Sequence, residues 1–151
     1  MRPMATGKKR KRLITGFGVA MLAVLGFVIF FRQAFTTVVV SGPSMLPTFQ
    51  SGERLLASSA YWLVGDIKRK DIVVVRDPNA SGYIIKRVAF MPGEKVDFYN
   101  IPKTARLSDG PYIVPNDSYY LLGDNRAVSE DSRVFGPVKR SEIIGKIVIR
   151  P

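Results

Sequence analysis

Apolar and polar positions along the 151 residues follow two patterns. From Leu13 to Phe31, 19 consecutive residues carry no charge. At about 1.5 Å per residue a helix of that length reaches roughly 28 Å, close to the hydrocarbon thickness of a bilayer. The stretch is apolar on every face, which predicts a membrane-spanning helix over 13–31, not one side of a buried helix in so small a domain. Beyond Arg32 the pattern changes to short runs rich in Val, Ile and Tyr, broken by Gly, Pro, Asn and Asp. Such runs predict strands at Thr37 to Val40, Arg54 to Ser58, Ile72 to Arg76, Tyr83 to Ala89, Lys95 to Tyr99, Tyr119 to Leu122 and Ile143 to Ile149. Asp77-Pro78-Asn79, Pro92-Gly93, Ser108-Asp109-Gly110-Pro111 and Pro115-Asn116-Asp117 lie between them as turns. The fold class expected is mainly β, an N-terminal transmembrane helix followed by an antiparallel β-sheet domain. Tyr61-Trp62-Leu63-Val64 is expected in the core, with an exposed aromatic surface resting on the membrane as the minority reading.

Charge sharpens the first pattern. The net charge of +11 invites a nucleic-acid reading, but Arg2, Lys8, Lys9, Arg10, Lys11 and Arg12 supply +6 of it with no acid among them. Residues 13 to 151 hold 17 bases against 12 acids, only +5. A basic cluster abutting an apolar span keeps its own end cytoplasmic. The expected organisation is therefore a basic cytoplasmic tail (1–12), a single membrane pass (13–31) in the plasma membrane, and an extracytoplasmic domain (33–151). A cleaved leader fits less well, because the apolar stretch is longer than a usual h-region and no small-x-small site follows it before Arg32, Gln33 and Phe35. Membrane lipid is an expected partner, and nucleic acid is not.

Composition then narrows the chemistry. The chain has no cysteine and no histidine. Thiolate nucleophiles, disulfides, Ser-His-Asp triads and His-based metal sites are excluded for a chain acting alone. The acids are scattered, and the adjacent pair Glu130 and Asp131 would point to opposite faces of a strand, so no metal and no cofactor is expected. What is left is a serine activated by a lysine, a variant in which the amine must be neutral to accept a proton.

Three segments carry that possibility: Ser41-Gly42-Pro43-Ser44-Met45-Leu46-Pro47-Thr48, Tyr83 to Glu94 with Lys86-Arg87-Val88 and Pro92-Gly93-Glu94 inside it, and Gly123-Asp124-Asn125-Arg126-Ala127-Val128-Ser129-Glu130-Asp131-Ser132-Arg133. In this order, after an apolar anchor, they resemble the type I signal peptidases, in the single-anchor form with Gly42 two residues before the serine. The resemblance implies a signal peptidase/LexA-like β fold, Ser44 as nucleophile, Lys86 as general base, and Ser129 as the residue that orients the Lys86 amine. It further implies ion pairs of Asp124 with Arg87 and of Asp131 with Arg133. The substrates implied are signal-peptide-bearing precursors cut after Ala-x-Ala. They would lie as an added strand near Val40 and Ile84 to Lys86, with Val40, Met45, Ile84 and Ile85 at the substrate. Only the Ser44 backbone N–H is expected to bind the oxyanion, since Gly42 lacks a hydroxyl and Pro43 an N–H.

The sequence departs from the family pattern at Phe90, where Gly is usual and a positive φ would strain Phe, at Lys70, again in place of Gly, and at Ala127-Val128. Two rival functions follow: a dedicated conjugative-transfer or pilin-type maturation peptidase, and a membrane-tethered β scaffold whose site has decayed, a reading that rests on Phe90 alone.

Overall fold

The computed structural model describes residues 7–78, 81–106, 108 and 110–149. The expected turn residues Asn79 and Asp109, and Arg2 of the basic tail, lie outside the described residues.

Two compact units divide at Ala34. The first holds helix α1, Gly7–Ala34. Its segment Gly16–Ala34 has a mean hydropathy of 1.9 and is long and apolar enough to cross a membrane. Phe17, Leu22 and Phe27 stand exposed on it.

The second unit is built on strands β1 (Phe35–Val39), β2 (Arg54–Ser58), β3 (Ile72–Arg76), β4 (Tyr83–Phe90), β5 (Ser118–Leu122), β6 (Val138–Lys139) and β7 (Ile143–Ile149). They form one sheet in the order β1-β2-β7-β3-β4-β5-β6, with every neighbouring pair antiparallel. Consecutive strand residues point to opposite faces, and the sheet uses both. Val74 joins Val38, Val40, Met45, Phe49, Leu55 and Ile85 in one core, while Val73, Val75, Val88, Tyr119 and Leu121 fill a second on the other face. Burial on both sides explains why β3 and β5 read as unbroken apolar runs and not as alternations. A third cluster of Val96, Val114, Tyr120 and Leu122 anchors the long connection between β4 and β5. At the sheet interior Gly145 lets β7 approach β2, because a Cβ there would meet the Ser58 carbonyl oxygen at 3.0 Å.

Six of the seven expected strands are present within two residues of their expected ends. Lys95 to Tyr99 is not one of them: Lys95 makes a single bridge to Ile113, and Phe98–Asn100 is a 3₁₀ turn. Asp97 decides this, since its side chain accepts from the Asn100 backbone N–H and competes with a strand ladder. The core expectation for residues 61–64 also fails in part. Tyr61–Val64 is a short helix, α2, with Trp62 77% and Leu63 54% exposed, and only Tyr61 packs on the core, under the Arg140 guanidinium.

Phe90 does not carry the expected strain. It ends β4 in ordinary strand conformation, stacks edge-on to Tyr120 with centroids 5.8 Å apart, and has the Arg69 guanidinium over its ring. The strained position is Lys70, whose φ of 73° makes it the single non-glycine with positive φ among the described residues. Its backbone there bonds β4 twice, from its N–H to Val88 O and from Arg87 Nη1 to its own carbonyl.

Candidate active site

Ser44 sits in the turn that follows β1. Met45 and Phe49 on either side of this turn are buried in the first core, and the Phe49 N–H donates to Met45 O at 3.0 Å. The Ser44 carbonyl accepts from the Asn125 N–H at 2.9 Å, tying the serine to the loop after β5. Gly123 makes that contact possible: a Cβ there would lie 2.7 Å from Ser44 O and 2.1 Å from Ser129 Oγ. The Ser44 N–H itself has no hydrogen bond among the described residues.

Lys86 lies on β4 opposite Val73, and its Nζ is hydrogen-bonded to Ser44 Oγ at 3.0 Å. Lysine is rarely so enclosed, at 3% exposure. Burial lowers its pKa from the ordinary lysine value, and the more distant charges of Asp131, Asp77 and Glu130 only partly oppose this. Among the described residues it forms no ion pair, unlike Arg87 with Asp124 and Arg133 with Asp131. A lysine amine beside a hydroxyl, stripped of water and with its charge disfavoured, is equipped to take a proton from that hydroxyl.

The two expected ion pairs are present and hold the surrounding loops. Arg87 Nε and Nη2 donate to the two oxygens of Asp124 at 2.8 and 2.6 Å, and Thr48 Oγ1 donates to the same carboxylate at 2.5 Å. Burial alone would raise Asp124, but Arg87 and Thr48 more than offset it and hold its carboxyl below the usual value. Asp131, fully buried, accepts from Arg133 Nε and Nη2 and from the Gly123 N–H, at 2.9, 3.0 and 3.0 Å. Here too the hydrogen bonds outweigh burial and keep the carboxylate ionised. Asp131 also caps the four-residue helix α3, Ser132–Phe135, through the Arg133 N–H.

Ser129 is buried in the same site, yet the expected hydrogen bond to Lys86 is not formed. Its Oγ makes no well-formed hydrogen bond among the described residues, and it lies near enough to Asp131 to favour that carboxylate's ionised form. The Ser129 backbone is spent on holding the loop, its N–H donating to Asn125 O at 3.1 Å.

A cleft of about 220 Å³ opens in front of the Ser44–Lys86 pair, lined in part by Val39 and Val40 from the β1 side and Tyr83 to Lys86 from β4. All four substrate-side residues expected from the sequence, Val40, Met45, Ile84 and Ile85, line it. Asp77 and Tyr83 line it as well and were not expected; nothing in the sequence distinguishes them from other turn acids and strand tyrosines. Thr48 and Asn125 were legible as motif positions but not as the anchors of Asp124 and Ser44.

A family model described as signal peptidase, peptidase S26, matches residues 13–102 and 98–150. Signal peptidase I of Bacillus caldolyticus is 32% identical over 144 residues, covering 77% of this chain and 79% of that protein. Signal peptidase IB of Staphylococcus aureus strain COL is 28% identical over 166 residues, covering 87% of this chain and 86% of that protein. The crystal structure of a signal peptidase I from Enterococcus faecalis V583 is 25% identical, covers 55% of this chain and 97% of that one, and superposes with a TM-score of 0.43. Matched over nearly all of its length, the chain belongs to the signal peptidase family, peptidase S26, and is a serine endopeptidase of the signal peptidase I kind.

Proposed function

We propose that this chain removes signal peptides after Ala-x-Ala with Ser44 as nucleophile and Lys86 as general base, anchored in the membrane by its N-terminal helix. The observation that carries the reading is the 3.0 Å hydrogen bond between Ser44 Oγ and a lysine that is buried and has no carboxylate partner among the described residues. Neutral Lys86 takes the Ser44 hydroxyl proton as Oγ attacks the scissile carbonyl carbon. The developing oxyanion is met by the unengaged Ser44 N–H. The Lys86 ammonium then gives its proton to the leaving amine, and water, deprotonated by the same amine, hydrolyses the acyl ester. Gly42 supplies no hydroxyl, so a single protein donor serves the oxyanion. Ser129, buried and without a well-formed side-chain hydrogen bond among the described residues, is the group available to orient the amine once substrate fills the site. Arg87–Asp124 and Asp131–Arg133 act as positioning pairs.

Sheet topology supports a peptide strand in the cleft. Four successive antiparallel pairings, β1 to β2 to β7 to β3 to β4, make β1 and β4 run the same way. A peptide between them therefore runs parallel to both or antiparallel to both. The cleft extends from Ser44 and Lys86 back toward Val39 and Tyr83. A parallel peptide would fill it with the residues that precede the cut, where Val40, Met45, Ile84 and Ile85 form walls suited to small side chains.

The domain arrangement in this reading is a basic cytoplasmic tail over 1–12, a span over 13–31, and an extracytoplasmic peptidase domain over 33–151. Precursors held in the bilayer by their own apolar segment meet a site tethered to the same surface. The decayed-scaffold alternative loses its motive with the unstrained Phe90. The test uses the full chain in detergent with several unrelated Ala-x-Ala precursors. Wild type is expected to cleave all of them, and Ser44→Ala and Lys86→Ala none while melting cooperatively. Near-wild-type cleavage by either variant overturns the dyad, and cleavage of one precursor alone favours the dedicated maturation peptidase.

A further inference from the structure

β1 is an edge strand, and its free side is where the topology puts a peptide. In an antiparallel pair, residues alternate between those that aim both backbone groups at the partner and those that aim both away. Val40 is of the first kind: its N–H donates to Glu53 O at 2.8 Å and its carbonyl accepts from the Gly52 N–H at 2.9 Å. Val39, the residue before it, turns both of its groups to the open edge. Those two groups are what an added strand would take.

The chain already occupies them itself. The Val39 N–H donates to Tyr83 Oη at 2.9 Å, and the Tyr83 hydroxyl donates to Val39 O at 3.3 Å. Tyr83 opens β4, and β5 begins to pair with that strand only at Arg87, so the β4 edge from Tyr83 to Lys86 is also unpaired on this side. One phenol therefore reaches across the cleft from one open edge to the other, at the end away from Ser44. Its side chain is not locked in the core; Tyr83 is 41% exposed.

We propose that Tyr83 is a specificity-determining residue that stands in for the backbone of a bound peptide at Val39 and is displaced when a peptide long enough to pair there enters the cleft. This deepens the peptide-strand reading above and rests on it. A short peptide reaches Ser44 without disturbing Tyr83. A longer one exchanges the two phenol bonds for its own, so most of the gain expected from that pairing is cancelled. The latch thereby weakens binding to any extended chain and leaves selection to the side-chain pockets nearer the cut.

The test measures binding, not cleavage. Full-length Ser44→Ala in detergent is titrated with a fluorescent Ala-x-Ala peptide carrying several residues upstream of the cut, alongside Ser44→Ala/Tyr83→Phe and Ser44→Ala/Tyr83→Leu. Both double variants are expected to bind about three- to tenfold tighter, the worth of one net hydrogen bond. The gain should vanish with a peptide trimmed to stop short of Val39. Equal or weaker binding of the long peptide by the double variants overturns the proposal. So does loss of a cooperative melt in both, which would make the phenol a structural strap and not a displaceable group. Failure of the wild-type chain to cleave would instead overturn the protease reading, and the two failures are separable because no turnover is needed here.

Discussion

Asp131 and Lys86 are both withdrawn from water, at 0% and 3% exposure, and both lie beside the same loop, yet their surroundings are opposite in kind. Asp131 receives a two-pronged Arg133, the Gly123 N–H and the Arg133 N–H, and its ionised form is favoured. Lys86 receives a neutral hydroxyl, with its nearest opposing charges too far away to pair, and its ionised form is disfavoured. A buried charge that is fully hydrogen-bonded fixes a loop, whereas one left without a counter-charge becomes reactive. Both kinds of burial meet in one site: Asp131 and Arg87–Asp124 tie the loop from Gly123 to Arg133 beside the Ser44 carbonyl, and next to it the Lys86 ammonium is disfavoured.

Exchanging the two roles is the strongest way to break this contrast. Lys86→Met is expected to reduce precursor cleavage by about 10⁴-fold or more, as loss of a member of a catalytic dyad does, measured as single-turnover rate with the full chain. Asp131→Asn leaves the half-buried Arg133 beside a weaker acceptor and should lower unfolding free energy by about 3 kcal/mol, read from denaturant melts. Lys86→Met should move stability the other way, by about 1 to 2 kcal/mol in favour of the fold at neutral pH, because it removes a disfavoured amine. The sign follows from linkage. With the folded pKa lowered, the unfolded chain binds more protons on Lys86, so this destabilisation is full below the folded pKa and fades as pH rises toward the ordinary lysine value of 10.5.

The same lowered pKa sets the pH profile. kcat/KM should rise about tenfold per pH unit and level off below the ordinary lysine pKa, since only the neutral amine accepts the proton. Glu130→Gln removes one of the charges that hold Lys86 up, so its plateau should begin at lower pH; an unmoved or upward-moved limb would contradict Lys86 as the titrating base. The smallest effect lies outside the contrast. Lys70→Gly should stabilise the fold by about 1 kcal/mol by relieving a left-handed lysine, and leave the pH profile in place, whereas a destabilised variant would show the Lys70 side chain is needed.

How much of this was legible differs from residue to residue. Ile72–Arg76 and Ile143–Ile149 are readable to the residue because β-branched runs between turn formers have no competing local solution, and Arg54–Ser58 matches as well although it holds no β-branched residue. Lys95 to Tyr99 has a strand-like composition, but one local hydrogen bond, from the Asn100 N–H to Asp97, outweighs it. Phe90 and Lys70 were both seen as departures from glycine, but which of them takes the positive φ depends on how β4 meets the turn before β3, and no local pattern encodes that. Ser44 and Lys86 stand out as candidates from their motifs and from the absence of histidine and cysteine.

By itself, then, the sequence determined most element types, the apolar N-terminal helix, the exclusion of histidine and cysteine chemistry and the family, because periodicity, composition and motif spacing are properties of neighbours along the chain. Only the tertiary structure decided that Lys86 forms no ion pair among the described residues while Asp131 has several partners, that Ser129 does not bond Lys86, and that Tyr83 bridges two open edges. Those are matters of which groups from distant segments meet in a water-poor space, where small differences in distance and partner number set whether a charge is held or given up.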